Sequence, residues 1–552
     1  MTNSANEANP ANPANPANPA NPAGSAKAAG YPQTVAAGYA FDGPTLDLGA
    51  LMADGTPDPD VQVRIPLTML TRHGLVAGAT GTGKTKTLQA MAEQLSAAGV
   101  PVFLADMKGD LSGLAAPGAG GEKLTTRTQA LGQQWSAKAF PCEFYTLGGE
   151  GTGVPVRATV SAFGPTMLAK VLGLNPTQES SLGLVFHYAD TKGWLLLDLK
   201  DLRSVLVHLT SDEGKAELKA IGGLSPQTAG VILRELTAFQ AKGAEPFFGE
   251  TEFNPLDLIR TTPDGRGVVS LLELPGVANQ PELFSTFLMW LVADLFERLP
   301  EVGDVDRPKL VFFFDEAHLL FTGASKAFLS AITQAVRLIR SKGVGIFFVT
   351  QTPKDVPGDV LAQLGNRVQH ALRAYTPDDA KALKATVSTF PKSPYDLGEV
   401  LQNLGIGEAV VTVLSENGAP TPVAWTRLRA PESLMAEADQ AVVQGIVNAS
   451  PQLATYGPAV DRESAYEILA AREQEAQAAA EDQRREDEAA KAERETQTQS
   501  QSQSQSRSRP STAAKAPPNL IDQALGSATV KKAVNTAVRE LTRSIFGTRK
   551  RG

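Results

Sequence analysis

At 552 residues, 42% of them hydrophobic, the chain exceeds what one ordinary core accommodates, so two lobes with appended segments are expected. Its net charge of −8 excludes a uniformly basic, nucleic-acid-coating surface, while a basic channel within an acidic whole stays compatible with it. A single cysteine, Cys142, excludes an internal disulfide, and neither a membrane-length apolar run nor a basic-then-apolar leader is visible, so a soluble cytoplasmic protein is expected.

Residues 1–30 are dominated by an Ala-Asn-Pro repeat in which every third position lacks a backbone donor, and this segment reads as disordered. Residues 31–162 read as the first half of an α/β core, with apolar strand candidates at HGLVAG from His73, VPVFLAD from Val100 and CEFYTL from Cys142. Between the first of these and the helical pattern KTLQAMAEQLSAAG stands Gly78-Ala79-Thr80-Gly81-Thr82-Gly83-Lys84-Thr85, which satisfies G-x-x-x-x-G-K-[ST] in the strand–loop–helix setting the pattern requires. Successive N–H groups from Gly78 through Thr80, Gly81, Thr82 and Gly83 would face phosphate oxygens, and Lys84 would reach the β- and γ-phosphates. Thr85 would offer its hydroxyl to Mg²⁺, and Lys86, next on the first helical turn, is expected among the nucleotide-binding residues. The expected ligand is a nucleoside triphosphate, ATP, with Mg²⁺. Asp106, Lys108, Gly109 and Asp110, which follow the second strand, either bond near this site or shape their own loop.

Residues 163–245 show helical patterns without strands and read as a helical insertion. Residues 246–430 return to the core with strand candidates GVVSLLEL, KLVFFFDEAH, GVGIFFVTQ and RVQHALRAY. Near-continuous apolar strands separated by helices indicate a mostly parallel sheet covered on both faces. The strand LVFFF ends in Asp315, placed to anchor Mg²⁺, and Glu316, placed to orient and deprotonate an attacking water. His318 completes Asp-Glu-Ala-His, but no arginine-rich motif of a second helicase lobe follows, which leaves it a structural or coupling role. Gln351 closes the next strand and either senses the γ-phosphate or caps the following loop. Two strand-like runs around Asn417-Gly418 read as a hairpin that closes the edge of the sheet. Arg340, Arg72, Arg337 and Arg367 are candidates for an arginine finger.

Residues 431–518 read as a solvated Ala/Glu/Arg/Gln helix followed by a low-complexity flexible linker. Residues 519–552 read as a basic amphipathic helix that packs on its own protein or a sister chain, or else meets another protein, a membrane surface or nucleic acid.

The stretches HGLVAGATGTGKTKTLQ, ADMKGDLSGLA, GPTMLAKVLGLNPTQESSL, LLLDLKDLRSVL, PFFGETEFNPLDLIR and FFFDEAHLLF resemble the HerA/FtsK superfamily of ring-forming ATP-driven motors, and within it the YjgR-type family. The resemblance extends over most of Tyr31 to Arg429. It implies a RecA-like ASCE core, with Lys84, Thr85, Asp315, Glu316 and Gln351 at the Walker A, Walker B and sensor positions. It also implies Arg340 and Arg72 as the preferred fingers, a homo-oligomer of hexameric kind, and DNA as the working polymer. The chain departs from HerA proper in lacking room for an N-terminal β-barrel between the repeat and the first core strand. Two functions follow as expectations: a DNA translocase or remodelling ATPase, or an ATPase that drives a protein-assembly or envelope-associated process without nucleic acid.

Overall fold

The parallel strands end in one plane, and their order decides which side chains meet there. In the computed structural model, which describes residues 30–147, 149, 151–220, 222–274, 281–321 and 326–506, these strands belong to a twelve-stranded sheet. The Ala-Asn-Pro repeat and the basic segment 519–552 lie outside the described residues. In chain order the strands are β1 Thr45–Ala53, β2 Thr56–Pro66, β3 Gly74–Ala77, β4 Val102–Asp106, β5 Cys142–Leu147, β6 Val154–Val156, β7 Val269–Glu273, β8 Leu310–Phe314, β9 Val344–Thr350, β10 Asn366–Gln369, β11 Glu408–Thr412 and β12 Ala424–Leu428. They lie in the order β2-β1-β12-β11-β10-β3-β9-β8-β4-β7-β5-β6. From β10 to β6 every neighbouring pair is parallel, and from β10 outward to β2 every pair is antiparallel.

The central strands are buried along their whole length because both faces are covered, as their unbroken apolar runs require. The two-residue period of a strand divides β8 between two cores. Phe312 and Phe314 join Trp290, Leu236 and Leu206 on one face, while Val311 and Phe313 join Leu88, Met91 and Leu95 of the helix Lys84–Ala97 on the other. Between β6 and β7 the chain runs through helices, among them Pro176–Lys192, Leu199–Thr210 and Pro226–Ala241. Their starts are built from sequence: Asn175 with Gln178 and Asp198 with Asp201 form capping boxes, and Pro176 and Pro226 stand where the helix has no use for their missing N–H.

The hairpin expected around Asn417-Gly418 forms as β11 and β12, but it does not close the sheet. β1 pairs with β12, and β2 is the edge. The β1–β2 hairpin turns at Asp54-Gly55, both in the left-handed region (φ 48° and 82°), which is the chemistry of a tight hairpin turn. Its outer strand carries Pro57, Asp58, Pro59 and Asp60, residues suited to an edge that must not recruit another strand.

The packed unit also continues past residue 430. Glu93 on the helix Lys84–Ala97 accepts from the N–H groups of Glu432 (2.8 Å) and Ser433 (2.9 Å), and Gln89 Nε2 donates to the Leu434 carbonyl (2.8 Å). Helix Gln440–Ala449 then buries Val443 and Val447. The last described helix, Ala465–Ser506, starts on this unit with buried Ala465 and continues through the stretch read from sequence as flexible linker; its residues 473–495 are exposed. Among the described residues no helix is long and apolar enough to cross a membrane.

Candidate functional site

The glycine-rich loop hangs between the ends of β9 and β10. Gly78 N–H donates to the Thr350 carbonyl (3.2 Å) and Ala79 N–H to the Ala371 carbonyl (2.8 Å). A Cβ on Gly78 would lie 2.4 Å from His370 Cβ, so only glycine allows β3 and β10 to come this close. Gly83, at φ 106°, turns the chain into the helix Lys84–Ala97, whose free N–H groups then face the loop. Thr82 is buried and its carbonyl accepts from Gly407 N–H (3.0 Å). The same carbonyl lies 3.1 Å from His370 Nδ1, and His370 Nε2 lies 3.0 Å from Thr87 Oγ1. Burial pushes the His370 imidazole down to about 3, the Thr82 carbonyl working against the shift and Lys84 with it. A neutral ring is thereby assigned, Nδ1–H donating to the Thr82 carbonyl and Nε2 accepting from the Thr87 hydroxyl. His370 and Gly407 brace the cradle.

Lys84 Nζ donates to the Gly78 (2.7 Å) and Ala79 (3.3 Å) carbonyls. Burial lowers its pKa, against the pull of Glu316 and Asp315. Thr85, half-buried, follows on the first helical turn. Lys86 is directed away, to Gln89 Oε1 at 3.2 Å, with Asp110 and Asp106 as its acidic neighbours.

Two strands away in the sheet, β8 delivers the acids. Asp315 is 3% exposed; its Oδ1 accepts from Glu316 N–H (2.8 Å) and its Oδ2 is buried without a hydrogen-bond partner. Burial, with Glu316 adding to it, pushes the Asp315 carboxyl up to about 6. A buried carboxylate oxygen left over, together with the Thr85 hydroxyl, is an oxygen donor set that fits a hard divalent cation completed by phosphate and water. Glu316 has φ 47°, a left-handed conformation that a non-glycine residue adopts at a cost on the order of 1 kcal/mol. That turn ends β8 abruptly, and the Glu316 side chain, 11% exposed, lies against Lys108 and His318. Lys108 Nζ donates to Glu316 Oε1 at 2.6 Å, and His318 Nδ1 lies 3.3 Å from Oε2. Burial alone would raise the Glu316 carboxyl, but Lys108, His318 and Lys84 hold it below the usual range.

Gln351 is exposed at the end of β9, immediately after the Thr350 whose carbonyl holds Gly78. The candidate fingers lie elsewhere. Arg72 precedes β3 and Arg340 precedes β9, which places both at the opposite ends of the strands that carry the loop. Arg340 Nη2 is 3.5 Å from Asp304 Oδ1, and burial followed by the neighbouring Arg340 lowers the pKa of Arg72. Arg367 is the second residue of β10 and Arg337 is exposed on helix Lys326–Ile339, neither at the loop's end of the sheet.

The family model described as helicase HerA-like C-terminal matches residues 52–552. The chain belongs to this family. By that family it is a P-loop ATPase. Among solved structures it is similar to the bacterial conjugative coupling protein TrwB at 15% identity, covering 74% of this chain and 94% of that one with a TM-score of 0.48. TrwB in complex with ADP and Mg²⁺ gives 16% identity, coverage of 73% and 98%, and a TM-score of 0.47. VirB4 of Thermoanaerobacter pseudethanolicus gives 14%, coverage of 73% and 99%, and a TM-score of 0.43. No curated protein matches the chain.

Within this HerA-like core the site thus gathers Lys84, Thr85, Asp315 and Glu316 and leaves Arg72 and Arg340 at the far side. Sequence reasoning missed His370 and Gly407. A polar Gln369-His370 pair ending an apolar strand and the Gly405-Ile406-Gly407 run were the available signals.

Proposed function

We propose that this chain binds ATP with Mg²⁺ and hydrolyses it to drive movement or remodelling of DNA, as an oligomer of identical subunits. The observation that carries the reading is the convergence of the glycine-rich loop with the Asp315–Glu316 pair at the ends of β3 and β8. N–H groups of Gly78 to Lys84 and the Lys84 ammonium would hold the β- and γ-phosphates; Lys84 would exchange the Gly78 and Ala79 carbonyls for phosphate oxygens. Thr85 and Asp315 would hold Mg²⁺, which when bound offsets charge on the phosphate oxygens. Glu316 would accept a proton from the attacking water as its oxygen bonds to the γ-phosphorus and the bond to the β-phosphate oxygen breaks. Gln351, beside the loop, would orient that water or sense the γ-phosphate.

Arg72 and Arg340 face away from their own cradle, an arrangement that suits supply of a finger to a neighbouring copy stacked head to tail. The test is steady-state ATP hydrolysis without polymer, with duplex DNA and with single-stranded DNA, beside Glu316→Gln. Stimulation by DNA that depends on Glu316 is the expected result. Glu316-dependent hydrolysis indifferent to DNA would assign the work to protein assembly instead, and hydrolysis that survives Glu316→Gln would remove the assigned base.

A further inference from the structure

One oxygen of the Glu316 carboxylate, Oε1, is bonded to Lys108, and the other, Oε2, is buried 3.3 Å from His318 Nδ1. Lys108 stands on a turn after β4 that is fixed without its help: Asp106 Oδ1 accepts from the N–H groups of Lys108 (3.0 Å) and Gly109 (2.8 Å), and Asp106 Oδ2 from Leu111 N–H (2.8 Å). The turn therefore does not need the ion pair to hold its shape. From it the Lys108 ammonium reaches Glu316 Oε1 at 2.6 Å while the side chain remains 52% exposed, free to leave along the solvent side. Glu316 is constrained from both ends, by its left-handed backbone and by this cation. A carboxylate oxygen that accepts from an ammonium is held in place by a charge-assisted bond and is a poorer acceptor of a proton from water while that bond lasts.

We propose that Lys108 is a latch on Glu316, a positioning residue that holds the carboxylate toward β4 and off the attacking water until Lys108 is drawn away. The latch rests on the reading of Glu316 as the base. It makes idle turnover slow by design, so that hydrolysis accelerates when an event at the cleft removes the cation. A structural ion pair between the same groups would affect stability and leave turnover alone.

The test is steady-state ATP hydrolysis by the full chain without polymer. Lys108→Met and Lys108→Gln are expected to raise kcat roughly three- to tenfold with KM within about twofold of the parent, since the base is freed and the phosphate cradle is untouched. Lys108→Arg, which keeps the cation, is expected to restore the low parental turnover. A kcat at or below the parent's in both neutral variants overturns the latch, as does Lys108→Arg behaving like them. Adding Glu316→Gln to Lys108→Met is expected to abolish the gain; hydrolysis that persists in Glu316→Gln alone overturns the base assignment itself, an outcome recognisably different from failure of the latch.

Discussion

Two buried histidines stand at opposite ends of the same three strands, β10, β3 and β9, and they do different work. His73, just before β3 and itself in the left-handed region (φ 59°), has Nε2 at 2.7 Å from the Val336 carbonyl and accepts at Nδ1 from Ile346 N–H (3.0 Å), which ties the strand beginnings to the helix beneath them. His370, just after β10, ties Thr82 and Thr87, which belong to the cradle and its helix. Both are shielded from water and neutral, pushed by burial to about 4 and about 3. The local chemistry is alike; only the end of the strands differs. In a parallel sheet the carboxyl ends gather loops that can change with a ligand, and the amino ends carry the fold.

Substitutions at the two ends should therefore differ in what they cost. Lys84→Ala removes the cation of the carboxyl end and should weaken ATP binding by a factor on the order of a hundred, measured by titration calorimetry, while the melting temperature holds. His370→Ala should cost about 2–3 kcal/mol of stability by denaturant unfolding and also weaken nucleotide binding, because Thr82 and Thr87 lose their tie. His73→Ala should cost a similar amount and leave binding intact; equal loss of binding in both would erase the distinction between the two ends.

Acid sharpens the contrast. A histidine whose folded pKa lies below its unfolded value of about 6.5 takes up a proton on unfolding. Its contribution is whole above about pH 6.5 and is lost as the pH falls toward the folded value, at about 1.4 kcal/mol per pH unit. Glu273 and Asp315, raised to about 7 and about 6 chiefly by burial, act in the opposite sense, so the parent's own profile mixes the two. The clean reading is a difference: the stability deficit of His370→Gln should shrink by about 2 kcal/mol between pH 7 and pH 5. Smallest of all, Arg340→Ala, which loses only the exposed pair with Asp304, should move stability by no more than about 0.5 kcal/mol, yet lower hydrolysis wherever copies assemble.

How much of this was legible in the sequence follows from the range of each interaction. The cradle and the Asp315–Glu316 strand end are local patterns, each a few residues long in its own strand context, and could be read directly. β1 and β2 were missed although Leu46-Asp47-Leu48 and Val61-Gln62-Val63-Arg64-Ile65 alternate and Asp54-Gly55 announced the turn; the run Pro57-Asp58-Pro59-Asp60 that opens β2 hid the pair. β6 is three residues long, too short for a period to appear. The Lys108–Glu316 bond joins residues 208 apart and the His370–Thr82 bond residues 288 apart, distances over which one sequence holds no pattern to read. Only the strand order brings them together.

The strap that crosses the P-loop helix after β12 has a practical side. A chain cut after Leu428 would strip Gln89 of Ser433 and Leu434 and leave the Glu93 carboxylate without the donors of Glu432 and Ser433. The smallest piece worth expressing therefore runs beyond Tyr456, whose hydroxyl bonds Asp257 at 2.6 Å, and a protease should find its first cuts downstream of Arg472.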